Sequence, residues 1–319
     1  MNKRFFFTLC APPVHGARAL LIVVILGFVA LFGAPTPHGA AVEPGMPLVM
    51  TVNYPLYYFA RRIAGAHAKV RFPAPKGLDP AFWSPSAKDV LGFQNADLIL
   101  INGADYAKWI DKVSLPPSRM INTSRVFAKD YLPAGVKTTH SHGPQGAHSH
   151  TGWAFTTWLD FTQAVKQAST IKDALVRLRP GRAKILQSNF TKLEQELLAL
   201  DAELIEIANR NKDTPVFASH PVYQYFARRY GLKFVAVTWE PDILPDDGQW
   251  RALRRLFAAH RARWMIWEAR PNQETVTRLK DLGIKTIVFD PVANVPDRGD
   301  FLTKMRANLG NLRRALSSP

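Results

Sequence analysis

From Leu48 onward, short apolar runs rich in β-branched residues alternate with amphipathic stretches. The alternation predicts strands at Leu48–Asn53, Val70–Phe72, Asp97–Ile101 and Arg119–Asn122. Between them it predicts helices at Tyr54–Ala64, at Ala87–Gln94 behind the opening Ser84-Pro-Ser86, and around Tyr106–Lys112. Strands separated by helices of this length make βα units and a parallel sheet, with the loops and any ligand site gathered at the strands' C-terminal edge.

Near Lys129–Phe155 the rhythm stops, and residues 139–150 form a His-, Ser- and Gly-rich stretch that is expected to pack no core. Two helices are expected next, Trp158–Leu178 and Gly181–Asn211, with Pro180 in the first turn of the second. On the second helix Leu193, Leu197, Leu200, Leu204 and Ile207 recur at three- or four-residue spacing, with Ile185, eight residues before Leu193, taken as part of the same stripe. That is one apolar stripe on a rod about 45 Å long. The βα rhythm then returns. Strands are expected at Val216–Ser219, Phe234–Thr238, Trp264–Trp267 and Thr286–Phe289. Helices are expected at Pro221–Tyr230, Asp247–His260, Gln273–Leu282 and Asp300–Leu316. The fold class is α/β: two lobes with mainly parallel sheets, residues 46–178 and 214–319, joined by one long helix within 179–213 and facing each other across a cleft.

Composition changes this picture at the N-terminus. Lys3, Arg4 and Arg18 precede an uncharged apolar run, Ala19–Phe32, too short for a comfortable bilayer span, followed by small residues up to Ala41. Residues 1–41 read as a secretion signal, or as a membrane anchor if uncleaved. Cys10 is the single cysteine, so a mature chain beginning after Ala41 has no disulfide and no thiolate ligand. The chain carries 41 Lys and Arg against 25 Asp and Glu, a net charge of +16. That excess suits anionic surfaces, lipid headgroups or an acidic partner protein among them. Export argues against nucleic acid.

Candidate chemistry gathers at strand ends. His220 directly follows Val216–Ser219 and Glu268 directly follows Trp264–Trp267, so both are expected at one sheet edge. Imidazole plus carboxylate is a usual donor pair for a divalent metal. The competing readings are a capping or buried hydrogen-bonded His220, and a Glu268 paired with an arginine such as Arg270. In residues 139–150, His140, His142, His148 and His150 form two His-x-His pairs; in an extended chain each pair falls on one face. Glu240 and Asp242 are carboxylates too, but Pro241 and Pro245 suggest a surface loop there. Ser219 beside His220 is not a nucleophile–base pair, because neighbours on a strand point to opposite faces. No enzyme is expected.

The chain resembles the periplasmic solute-binding proteins of zinc and manganese ABC importers, the ZnuA-like cluster A-I family. The likeness lies in Asn53-Tyr-Pro-Leu-Tyr-Tyr-Phe-Ala-Arg-Arg-Ile-Ala-Gly65, in Gly77-Leu-Asp-Pro80 with Pro85, Ser86 and Asp89, and in Asn95-Ala-Asp-Leu-Ile-Leu-Ile-Asn-Gly103. It continues through the histidine-rich insertion before Trp158-Leu-Asp160, Ser219-His220 leading into Tyr225-Phe-Ala-Arg-Arg-Tyr-Gly231, and Glu240-Pro241. The resemblance implies two lobes, a rigid helical backbone and capture of zinc or another divalent ion for an ABC permease in the inner membrane. It also implies a periplasmic, monomeric protein.

The departures are at ligand positions. Where the family usually places histidines, this chain has Ala81 and Thr156; His220 is kept; an acidic position is Glu268 or, where manganese-type members carry aspartate, Asn272. Three readings follow. The ion is held by His220 and Glu268, completed by His148 or His150 from the adjoining loop. Alternatively the cleft, with Thr156, Asn272 and the aromatic residues Phe82, Trp83, Trp153, Trp158 and Trp239, takes an organic molecule or metal chelate. In the third, the protein binds no solute and serves as a periplasmic interaction partner.

Overall fold

A computed structural model describes residues 45–135, 139–141, 147–149 and 152–316 of the chain. The proposed leader, residues 1–41, and two of the loop histidines, His142 and His150, lie outside them.

The first sheet begins with β1 (Leu48–Thr51), which ends where Asn53 takes up the helix-capping role. The Asn53 side chain accepts from the Leu56 amide at 3.0 Å and starts α1 (Tyr54–Ala64), with Pro55 in the first turn where its missing N–H costs nothing. β2 (Lys69–Arg71) follows. Ser86 and Asp89 then form a reciprocal capping box that opens α2 (Ala87–Gln94), within the bounds the Ser84-Pro-Ser86 signal predicts. β3 (Leu98–Ile101) and β4 (Met120–Asn122) complete a four-stranded parallel sheet in the order β2-β1-β3-β4.

Within the histidine-rich segment, expected to pack no core, a short hairpin is present. β5 (Thr139–Ser141) and β6 (Ala147–Ser149) pair antiparallel, in a register that sets His140 opposite His148.

Asp160 caps α3 (Phe161–Leu178), and a 3₁₀ turn over Pro180–Arg182 leads into α4 (Ala183–Asn209). The expected stripe is buried from Leu193 to Ile207, but Ile185 is 42% exposed; Leu186 and Phe190 take the inward positions in the first turns. α4 packs on α1 and α3 of the first lobe. The second lobe continues with β7 (Pro215–Ala218), α5 (Gln224–Tyr230), β8 (Lys233–Ala236), α6 (Asp247–His260), β9 (Trp264–Trp267), α7 (Gln273–Asp281), β10 (Lys285–Val288) and α8 (Phe301–Leu316). Its sheet is also parallel, in the order β10-β9-β7-β8.

One apolar core runs from Val49 and Ile99 in the first sheet, through Leu193, Leu197, Leu200 and Leu204 of α4, to Ile266 and Phe289 in the second lobe. α4 is therefore a shared core element, because α5 and α8 pack on it from the second lobe. Polar ties reinforce both contacts. Asn189 donates to the Ile63 carbonyl at 3.0 Å, and Asp201, only 5% exposed, receives Arg229 and the Tyr230 hydroxyl. A smaller core of Phe217, Trp239, Trp250, Leu253 and Trp267 lies under α6 and α7 on the sheet's other face.

The start of α8 yields a pH prediction. Asp300 accepts from the Thr303 amide at 2.9 Å, the Thr303 hydroxyl at 2.7 Å and the Tyr58 hydroxyl at 3.1 Å. Burial alone would raise its carboxyl; the Thr303 and Tyr58 bonds and the Arg62 charge outweigh burial and hold it below the usual range. A depressed acid stabilises the fold above its unfolded pKa, and that contribution fades as pH falls through the folded value. Asp300→Ala is expected to cost about 1 kcal/mol in urea unfolding at pH 7. The gap from the parent should narrow below about pH 4.

Candidate metal site

β7 is buried from Val216 to Ala218 and hydrogen-bonded on both sides, and the ladder continues past its end. Ser219 donates to the Ile266 carbonyl at 2.9 Å, and Trp239 donates to the Ser219 carbonyl at 2.7 Å. Pro221 then stops any further extension, and the Val222 amide closes a tight turn onto the His220 carbonyl at 2.9 Å. His220 is thereby held at the sheet's C-terminal rim with 2% of its surface exposed.

The same ladder extension decides where Glu240 goes. Val237 donates to the Ala218 carbonyl and Trp239 to that of Ser219, so the chain after β8 stays beside β7 for three more residues. Glu240 arrives 8% exposed, its Oε1 3.7 Å from His220 Nδ1. Placing Glu240 on a surface loop was the wrong inference from Pro241 and Pro245; Asp242 is exposed, Glu240 is not. The Pro241 carbonyl in fact accepts from the Asn272 amide at 2.7 Å, which draws that loop against the turn after β9.

Glu268 follows β9 directly, half-buried at the same rim. His220, Glu240 and Glu268 each present a donor atom, all within 4.8 Å of one another. Three donors about 2.1 Å from a shared zinc ion in tetrahedral array stand about 3.4 Å apart. The cluster needs an inward shift on the order of an ångström to reach that spacing. Two carboxylates this close repel, and in a mostly buried site a cation between them is the direct electrostatic remedy.

Beside the cluster, Tyr223 donates to the Phe289 carbonyl at 2.8 Å. Burial first, and the charges of Glu268 and Asp290 next, hold its phenol well above the usual value, so it remains a donor. Asp290 follows β10 at the same edge. Burial raises its carboxyl, which accepts from the Val292 amide at 2.7 Å. Each of the four strands thus delivers one titratable side chain to one rim. Neither Glu240 nor Asp290 is among the metal candidates read from the sequence, although both lie at this rim. The usable signal for Asp290 was the one that found Glu268, an acid immediately after an apolar strand.

The remaining candidates are placed elsewhere. The Thr156 hydroxyl donates to the Val222 carbonyl, a tie between the lobes. Ala81 is buried, its amide donating to Asp79. Asn272 caps α7 by accepting from the Glu274 amide at 2.9 Å. The aromatic residues do not line one wall: Trp83 packs on Trp109, Trp153 on Tyr131, and Trp239 on Trp250 and Trp267. Trp158 is fully buried, its indole donating to the Pro291 carbonyl at 2.7 Å. The cavity beside Thr156 and Val222 measures about 10 Å³, room for about one water and no organic solute. His140 and His148 are register partners in the β5–β6 pairing.

Two parallel sheets sharing one long core helix, with a rim cluster of one imidazole and two carboxylates, define a helix-backed, two-lobe α/β protein with a metal-type donor set. The chain belongs to the ZnuA family, the periplasmic component A of zinc-uptake complexes, whose family model matches residues 49–315. It is 26% identical over 277 residues to the zinc-binding lipoprotein AdcA of Streptococcus pneumoniae, an alignment covering 83% of this chain and 55% of AdcA. The chain thus spans about half the length of that relative. It is 24% identical over 298 residues to the high-affinity zinc uptake system protein ZnuA of Bacillus subtilis, covering 90% and 93% of the two chains. The crystal structure of the Zn(II)-bound ZnuA-like domain of S. pneumoniae AdcA superposes with a TM-score of 0.73 at 24% identity, over 86% of this chain and all of that one. The B. subtilis lipoprotein YcdH gives the same TM-score, 0.73, at 21% identity.

Proposed function

We propose that this chain is the extracytoplasmic solute-binding component of an ABC importer for a divalent metal ion, zinc foremost, and passes that ion to a membrane permease. The observation that carries the reading is the cluster of His220, Glu240 and Glu268. The ion is cargo, so the site must hold it and also let it go. Three protein donors leave a fourth position for water or for exchange. One imidazole and two carboxylates make a harder donor set than a histidine cage. Manganese is therefore expected to bind as well, more weakly than zinc as the general affinity order requires. Family membership and the zinc-binding relatives support the same assignment.

The paired histidines of β5 and β6 play a secondary part in this proposal. A pair of histidines on a hairpin collects metal loosely and raises its local concentration. Among the described residues no helix is long and apolar enough to cross a membrane.

The test is calorimetric titration of metal-stripped protein with zinc. Glu240→Gln keeps the shape and hydrogen-bonding reach of the side chain but removes the charge, and it is expected to weaken zinc at least tenfold. Deletion of residues 139–150 is expected to leave the tight site within threefold and remove only weaker equivalents. Unchanged affinity in Glu240→Gln would place the ion elsewhere.

A further inference from the structure

α1, the end of β2 and the start of α2 of the first lobe, with the segment before α8, enclose an open groove of about 840 Å³. That volume is within the range of small-molecule sites, about 300–1,000 Å³. None of the rim residues His220, Glu240 or Glu268 lines it.

The groove has an aromatic floor and a cationic rim. Tyr57 stands 5.9 Å from Tyr54 and 6.3 Å from Phe72, ring centre to ring centre, so an apolar ring has π faces to lie against. Arg61, Arg62, Arg71 and Lys88 line the rim. Arg62 is neutralised by Glu196 at 2.5 Å. Arg61 instead donates to the Tyr57 hydroxyl at 3.2 Å and lies 5.4 Å over its ring. Among the described residues, Arg61, Arg71 and Lys88 take part in no ion pair.

The groove's own acids, Asp89 and Asp300, offset part of this charge, but four cationic side chains against two carboxylates leave the lining net positive, and both acids are held at helix starts. Asp89 accepts from the Ser86 amide and hydroxyl, and Asp300 from Thr303 and Tyr58. We propose that the groove is a binding site for an aromatic anion, a ring system bearing a carboxylate, sulfonate or phosphate, distinct from the metal cluster. The ring lies against Tyr57 and Phe72, and the anionic group is held between Arg61 and Arg71, with Lys88 across the opening. A metal cation is disfavoured here by the rim charge, and a bare inorganic anion would leave the aromatic floor unused.

The probe is 8-anilino-1-naphthalenesulfonate, followed by fluorescence titration of the full-length, zinc-loaded protein. Saturable one-to-one binding is expected. The uncharged N-phenyl-1-naphthylamine should bind at least tenfold more weakly. The Arg61→Glu, Arg71→Glu double variant should lose at least tenfold in sulfonate affinity with its zinc titration unchanged. Should that variant fail to fold by circular dichroism, Lys88→Glu, an exposed side chain, is expected to lose at least threefold. Absence of saturable binding, equal affinity for the neutral probe, or unaltered sulfonate affinity in the folded charge-reversal variant would each overturn the proposal.

Discussion

Replacing His220 by alanine is expected to weaken zinc binding at least 100-fold while the protein remains folded. His220 is the nitrogen donor of the rim cluster, and among the described residues Glu240 and Glu268 have no other imidazole within the 4.8 Å that joins them. Two carboxylates hold a hard cation by charge, but zinc gains much of its selectivity over calcium and magnesium from nitrogen ligands. Loss of partners that merely orient a ligand costs 10–100-fold in comparable sites, so loss of a ligand itself should cost more. The check is competition against a chelator of known affinity, with circular dichroism to confirm folding. If affinity stays within threefold in His220→Ala and vanishes on removing residues 139–150, the tight site belongs to the histidine hairpin and the rim assignment falls.

Trp158→Ala is expected to be the most destabilising single change, by about 3–5 kcal/mol. The indole is fully buried, lies 5.9 Å from the Tyr106 ring and donates to Pro291 at the far side of the lobe boundary. Truncation opens a large void and also strands the Pro291 carbonyl, an added cost of about 1–3 kcal/mol if water cannot reach it. Trp158→Phe separates the two effects, because it restores most of the volume and none of the hydrogen bond; about 1–3 kcal/mol is expected there. Urea midpoints for the three proteins measure both. A loss below 1 kcal/mol for Trp158→Ala would mean that the indole does not join the lobes energetically.

The reading of Trp158 as a cleft residue shows where local pattern stops being informative. An aromatic residue between a polar insertion and a helix looks the same in sequence whether it faces a ligand or a core. What separates the two is the Pro291 carbonyl, 133 residues away. Thr156 and Asn272 behave alike: as weak ligands they are odd, but as a donor to Val222 and as the cap of α7 they are ordinary.

Elements set by near neighbours were legible. The cap at Asn53, the capping box at Ser86 and the apolar stripe from Leu193 to Ile207 depend on spacings of three or four residues, which the chain displays directly. Ile185 falls off the stripe because it lies eight residues before Leu193, about 80° round the helix, whereas Leu186, seven residues before it, is only about 20° off and points inward. His220 and Glu268 were found for a similar reason: a polar side chain one or two residues past an apolar strand lies at a sheet edge whatever the rest of the fold does.

Glu240 could not be found that way. Its position rests on the amides of Val237 and Trp239 reaching the carbonyls of Ala218 and Ser219, about twenty residues back. Prolines at 241 and 245 mask that continuation in sequence. By itself the amino-acid order determined the alternation of strands and helices, the two sheets and the shared helix, because period and capping are properties of adjacent residues. Only the packed structure decided which side chains converge on the rim and which tie the lobes together, since those outcomes depend on hydrogen bonds between segments that no local spacing relates.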